Sequence, residues 1–238
     1  MNLEQKTVLI TGANRGIGRA LVDEALTRGA SRVYAGTRGP LHHADERVTA
    51  VRLDVTDTAQ IQAAVARIPS LDVLINNAGV AIYDDLRSVE VIEQQMAVNL
   101  IGALKMTHAF LPLLRRSRGA VVNNLSLAAL AALPIMPGYS ISKAAAFSAT
   151  QSLRALLTSE GVTVHAVLLG PIDTDMSRSL EIPKASAETA ARGIFDGLQH
   201  GEQDIFPDPV SAAVAEGWRT GALKQLERQF AEFVQRAA

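Results

Sequence analysis

Short apolar runs rich in β-branched residues recur along the chain at positions 6–10, 33–36, 48–53, 73–75, 120–124, 162–168 and 204–206. They lack the strict alternation of a sheet with one wet face, the pattern expected of strands buried on both sides of a parallel sheet. Between them, apolar positions recur with helical spacing at 17–28, 59–68, 89–114, 140–159 and 187–199. This alternation predicts an α/β fold: a doubly wound parallel sheet of about seven strands with helices on both faces. One crossover breaks the rhythm. The interval from Arg38 to the next strand is short and holds Gly39-Pro40, so its helix is expected to be stunted or missing. Residues 211–238 read as an amphipathic helical tail with Leu223, Leu226, Phe230 and Phe233 as its apolar stripe. That stripe suits packing on its own sheet or on a second subunit equally. No repeat, low-complexity stretch or linker divides the chain, so residues 1–238 read as a single domain.

Composition narrows the setting. At 238 residues the chain can bury a substantial core, and 48% hydrophobic with 20% charged residues excludes a disordered class. A net charge of −1 gives no electrostatic reason to expect nucleic acid or an anionic membrane. The absence of cysteine excludes disulfides, thiolate nucleophiles and cysteine metal sites, and is compatible with a reducing compartment. The first residues show no basic segment followed by an apolar one, and the longest apolar tract, 125–136, is interrupted by Ser126 and Pro134. The expected location is cytoplasmic. The five histidines show no metal-binding spacing, so no metal is expected. Glu93, Asp84 and Asp85 read as solvated polar positions.

Two motifs carry candidate chemistry. Tyr139 and Lys143 stand four residues apart before a helix-forming alanine run, which places them on one helix face. A phenol is a reluctant acid at neutral pH, and a neighbouring ammonium favours the phenolate, so the pair can transfer protons. The same spacing also arises from a surface lysine beside a half-buried tyrosine. At the other end, the first strand feeds Thr11-Gly12-Ala13-Asn14-Arg15-Gly16-Ile17-Gly18 and then a helix. Strand, glycine-rich turn and helix start form a phosphate cradle, where free N–H groups and the helix dipole attract an anion. An ordinary tight turn would use the same glycines.

Thr11-Gly12-x-x-x-Gly16-x-Gly18, Asn76-Asn77-Ala78-Gly79 and Tyr139-x-x-x-Lys143, in this order, resemble the short-chain dehydrogenase/reductase family. Ser126, thirteen residues before Tyr139, and Asn99 match the family's other catalytic positions. The resemblance runs from Lys6 to about Phe206. It implies a Rossmann-type dinucleotide-binding and catalytic domain in which Tyr139 is the general acid/base. Lys143 would lower the tyrosine's pKa and anchor the nicotinamide ribose, Ser126 would bind the substrate oxygen, and the Asn99 carboxamide, with a helix distortion, would hold a relay water. Asp54 and Val55 would hold the adenine, Asn77, Ala78 and Gly79 the ribose, and Ile172 and Thr174 the nicotinamide amide and phosphate. One departure is visible: the family's Pro-Gly after the sixth strand reads Leu169-Gly170-Pro171, with Gly170 and Thr174 kept. Relatives pair their long helices across subunits, which implies a homodimer or homotetramer.

Cofactor and substrate follow from particular side chains. An acid after the second strand would select NAD by holding the ribose 2′-hydroxyl. Here that strand ends in Thr37-Arg38, and Arg38, with Arg15 from the turn, could grip a 2′-phosphate instead. NADP(H) is therefore the expected cofactor. The lid segment, about 175–187, is short. The expected substrate pocket, Ala81, Ile82, Leu127, Ala128, Ile135, Met136, Pro171 and Met176, is apolar. The expected function is NADPH-dependent interconversion of an apolar ketone or aldehyde and its alcohol, in the manner of a carbonyl reductase. A ketoacyl-thioester reductase, with Arg178 and Lys184 at the rim, is the alternative, and a non-enzymatic NADP(H)-binding regulator a third reading.

Overall fold

A computed structural model describes residues 1–237, with the side chains at 233 and 235–237 outside the description. Seven strands form one parallel sheet: β1 (Thr7–Thr11), β2 (Arg32–Thr37), β3 (Val48–Arg52), β4 (Val73–Asn76), β5 (Ala120–Asn124), β6 (Thr163–Val167) and β7 (Asp204–Ile205). Their order is β3-β2-β1-β4-β5-β6-β7, and β1 pairs on either side through Val8↔Val33 and Val8↔Val73. The chain reverses direction across the sheet between β1 and β4, which opens a crevice at their C-terminal ends. Successive side chains serve opposite faces. Val8 and Ile10 pack with Leu21, Val22 and Phe195, whereas Leu9 packs with Leu74, Ile61 and Phe110. Helices α1 (Gly16–Thr27) and α6 (Ala187–His200) cover the first face, and α2 (Thr58–Arg67) lies on the second. The chain from β2 to β3 contains no helix, as Gly39-Pro40 predicts.

The predicted helix at 89–114 is in fact three pieces: α3 (Val89–Met96), a π-helical segment (Ala97–Gly102) and α4 (Ala103–Ser117). One wide turn of this kind inserts a residue into the helical ladder and re-aims what it carries, and such turns concentrate at functional sites. This rod is long and apolar enough to cross a membrane, with a mean hydropathy of 1.4. It packs on the sheet instead, through Met106 and Phe110, both fully buried. Helix α5 (Pro137–Leu157) lies beside it and carries the Tyr-Lys pair.

The tail begins at Pro209, not 211, and breaks at Gly221 into α7 (Pro209–Thr220) and α8 (Ala222–Ala237). Its apolar stripe does not dock on the sheet: Leu223 is 70% exposed and Phe230 57%, while the side chain of Phe233 lies outside the described residues. Helix α8 turns a charged face inward. Lys224, 3% exposed, donates to Asp204 of β7 at 2.6 Å and to Glu227 at 2.8 Å. Arg154 of α5 donates to the other Asp204 oxygen at 2.7 Å and to Glu227, and the Trp218 indole N–H completes the set at 2.8 Å. Burial alone would raise the Asp204 pKa; Arg154 and Lys224 outweigh it and hold the carboxyl below its usual range. A buried carboxylate needs such partners, and that need overrides the hydrophobic stripe.

Candidate active site

The crevice at the strand ends widens into a cleft of about 570 Å³. Its floor starts at the glycine turn. Gly12 and Gly16 have φ of +67° and +52°, which side chains rarely adopt. A Cβ on Gly18 would meet the Gly12 carbonyl oxygen at 2.0 Å, so the turn folds this tightly only with glycine there. The N-cap of α1, Arg15, makes no side-chain capping bond, and the first turn carries no acid. The helix thus presents open N–H groups to the cleft, the arrangement a pyrophosphate requires. Thr11 and Asn77 lock this turn to β4: the Thr11 hydroxyl accepts from Asn77 N at 3.0 Å and Ala78 N at 2.9 Å, and Asn77 Nδ2 donates to Thr11 O at 2.9 Å.

From there a polar ladder crosses the sheet. Asn124 Nδ2 donates to Asn77 Oδ1 at 2.8 Å, and the Asn124 carbonyl accepts from Lys143 Nζ at 2.8 Å. Two strands therefore connect the glycine turn rigidly to Lys143. Sequence reasoning missed Asn124. The signal was a pair of amides, Asn123-Asn124, closing an otherwise apolar buried strand.

Tyr139 and Lys143 both line the cleft, with Lys143 Nζ 5.6 Å from the centre of the tyrosine ring. Lys143 is buried, and removal from water pulls its pKa down to about 8. Tyr139 keeps part of its surface exposed, yet burial of its hydroxyl pushes the pKa up to about 12 against the opposing hydrogen bond with Ser126. In the protein alone the tyrosine pKa thus lies above its ordinary value, not below it as expected: burial outweighs the effect of Ser126. Ser126 ends β5's extension, and its hydroxyl also accepts from Ala128 N at 3.1 Å. Asn99 lies in the π-helical segment, 4% exposed. Its Oδ1 accepts from Val80 N at 2.9 Å, and its Nδ2 donates to Val80 O at 2.9 Å and Ser142 Oγ at 2.8 Å. The carboxamide therefore braces the loop after β4 against α5.

The cofactor residues expected from the sequence gather here, with exceptions. Asn14, Arg15, Ile17, Thr37, Arg38, Asp54, Val55, Asn77, Ala78, Gly79 and Thr174 all line the cleft, but Gly170 and Ile172 do not. Ile172 is buried in the core beneath α6, and Gly170 N donates to the buried Asp208 carboxylate at 2.8 Å. Arg38 is exposed at the far end, where its charge helps hold the Asp54 carboxyl below its usual range, behind hydrogen bonds from Thr56. Arg15 faces the other way, 3.6 Å from Asp175 across the mouth. Of the expected substrate pocket only Met176 lines this cleft. Ala128 and Met136 are buried, Leu127 packs beside Leu125 and Phe147, Ile135 is 48% exposed, and Ala81, Ile82 and Pro171 are half-buried.

The sequence model of the family described as short chain dehydrogenase matches residues 6–185. This chain belongs to that family. Its members are oxidoreductases that use a nicotinamide cofactor, and the glycine cradle and cleft fit one. A solved short-chain dehydrogenase from Burkholderia cenocepacia, in complex with NADP, is 36% identical, with a TM-score of 0.88 over 96% of this chain and 98% of that one. Mouse estradiol 17-beta-dehydrogenase 2 is 33% identical over 197 residues, 76% of this chain but only 51% of the mouse protein. The 3-oxoacyl-[acyl-carrier-protein] reductase of Vibrio harveyi is 31% identical over 199 residues, 79% of this chain and 82% of that protein.

Proposed function

We propose that this short-chain dehydrogenase interconverts an apolar ketone or aldehyde and its alcohol with NADP(H). The observation that carries the reading is the Tyr139–Lys143 pair, with Ser126 beside Tyr139, at one end of a cleft whose other end is the glycine turn and Arg38. When bound, the nicotinamide supplies or accepts the hydride. The chain's own residues handle the oxygen and its proton. With a pKa near 12, Tyr139 arrives protonated at neutral pH and can donate to an oxygen that gains charge during reduction. Ser126, near enough to the Tyr139 hydroxyl to draw its pKa down, offers the second contact to that oxygen. Lys143, cationic below about pH 8, sits where its charge stabilises the phenolate left behind. NADP(H) is supported by exposed Arg38 at the adenosine end, by the lack of an acid after β2, and by the NADP held in the Burkholderia relative. The named mouse relative acts on estradiol, an apolar alcohol, in keeping with the apolar Met176 side chain that lines the cleft.

The Vibrio relative favours a second reading, an acyl-thioester reductase. A carrier's phosphate would want basic residues at the rim, but Arg178 is paired with Asp175, which leaves Lys184. Following NADPH absorbance against aliphatic and aromatic ketones, hydroxysteroids and ketoacyl thioesters separates the two. Preference for acidic, phosphorylated or thioester substrates refutes the apolar assignment. A Tyr139→Phe enzyme that folds and keeps more than about a tenth of the wild-type rate refutes the acid.

A further inference from the structure

Helix α5 starts without a cap of its own. Its N-cap, Met136, makes no side-chain hydrogen bond, and Pro137 at the first position has no N–H to offer. The first orphan donor is Gly138 N, one residue before Tyr139. It donates to the carboxylate of Asp84, at 3.1 Å to Oδ2 and 3.3 Å to Oδ1. Asp84 comes from the loop after β4, more than fifty residues earlier in the chain. That loop is itself held from behind. Gln95 of α3, fully buried, accepts from Ile82 N at 3.1 Å through Oε1 and reaches Asp84 Oδ2 with Nε2 at 3.4 Å. Asp84 Oδ1 also accepts from Leu86 N at 3.1 Å. The fit is close: a Cβ on Gly138 would meet Gln95 Nε2 at 2.8 Å and Asp84 Oδ2 at 2.9 Å. At the other side of Asp84, the exposed Tyr83 hydroxyl meets Ser179 of the lid at 2.9 Å.

We infer that Asp84 is a positioning residue for Tyr139: a long-range N-cap that fixes the first turn of the catalytic helix against the loop forming one wall of the substrate mouth. The inference rests on Tyr139 being the proton donor. A negative carboxylate at a helix N-terminus is favoured by the helix dipole as well as by the hydrogen bond. Without it, the first turn of α5 loosens where the reacting hydroxyl needs placement to well under 1 Å, and the glycine turn, on the far side of the cleft, is untouched.

Three readouts test this. In Asp84→Ala, kcat for ketone reduction falls at least about tenfold while the Kd for NADPH, from fluorescence titration, stays within about twofold. Hydrogen exchange at Gly138 and Tyr139 N–H, measured without cofactor, accelerates at least about tenfold in the same variant, with α1 amides unchanged. Asp84→Asn keeps an oxygen for Gly138 and Leu86, and it returns kcat to within about threefold of wild type. The inference is overturned by an Asp84→Ala enzyme with wild-type kcat, by unchanged exchange at Gly138, by equal losses in kcat and NADPH affinity, or by an Asp84→Asn variant as poor as alanine. Tyr139→Phe, run in parallel, judges the acid separately: if it keeps its rate the proton donor is elsewhere and the positioning role falls with it, whereas the Gly138 exchange still reports the cap.

Discussion

Lys143→Met should make the protein more stable and nearly inactive. Methionine has close to the same length, so the cavity term is small and two terms decide the outcome. The first is the buried ammonium. Its folded pKa, near 8, lies below its ordinary value of 10.5, so the charged form is disfavoured in the folded state. Near pH 7 this costs about 3 kcal/mol, and because the unfolded chain also loses its proton as pH rises, about 1 kcal/mol remains near pH 9.5. The second is the Asn124 carbonyl, which loses the 2.8 Å hydrogen bond from Nζ. An unpaired buried acceptor costs about 1 kcal/mol or more. The net gain for methionine is about 2 kcal/mol near pH 7 and about zero near pH 9.5. For a chain of this size that is a rise in Tm of about 4–8 °C near neutral pH. Thermal melts of both proteins without added cofactor, at the two pH values, read it directly, and kcat should fall at least about a hundredfold. A variant that is less stable than wild type near pH 7, or whose advantage does not shrink with rising pH, refutes the account of the lysine as an ammonium held out of water.

Three further outcomes follow from other parts of the molecule. Wild type should show at least about tenfold higher kcat/KM with NADPH than NADH, and Arg38→Asp should remove that preference by taking away the fork and adding repulsion; equal use of both cofactors by the wild type contradicts it. Alcohol oxidation needs the tyrosinate, so with a Tyr139 pKa near 12 its rate should rise roughly tenfold per pH unit from neutral pH upward, while ketone reduction does not rise; a pH-independent oxidation rate counts against Tyr139 as the titrating base. Lys224→Met should cost roughly 3 kcal/mol in urea unfolding because it leaves Asp204 short of a buried partner; a loss under about 1 kcal/mol would mean that Arg154 and Trp218 suffice for the carboxylate.

The strands were legible because burial on both faces writes itself into consecutive residues, as in Val8-Leu9-Ile10 and Val73-Leu74-Ile75. The glycine turn was legible for a related reason: close backbone approach admits no substitute at Gly18. What was hidden depends on partners remote in sequence. Periodicity alone does not announce the π-helical segment at 97–102, where only the family resemblance at Asn99 implies a distortion. It takes its form from contacts across the fold, with Gly102 so close to Val55 that a Cβ would meet it at 2.6 Å. Asp84 reads locally as a loop acid beside Asp85, and only the folded chain brings it under Gly138. The substrate wall was the least legible part. Burial of Met136 and exposure of Ile135 depend on how residues 127–136 curl before α5, and apolar character alone does not tell a pocket from a core.

The tail shows the same limit in reverse. A clear apolar stripe on α8 predicts which side faces inward only if the polar side finds water a better solvent than the protein. Asp204 changes that balance. It opens the last strand, 4% exposed, where a lone carboxylate could not stay charged. Arg154 supplies one cation from α5, and Lys224 and Trp218 supply the remaining donors from the tail. The strand thus selects the charged face of α8, and Leu223 and Phe230 are turned outward as a consequence. The same segment holds the site: Asp208, just after β7, takes the Gly170 N–H at 2.8 Å and caps α7 through Val210 N and Ser211 N, both at 3.0 Å. The loop after β6, where the family places the nicotinamide, is thereby fastened to the helical tail. Polar contacts between segments far apart in sequence set the geometry of this cleft, as Asn124 does for Lys143 and Asp84 for the first turn of α5.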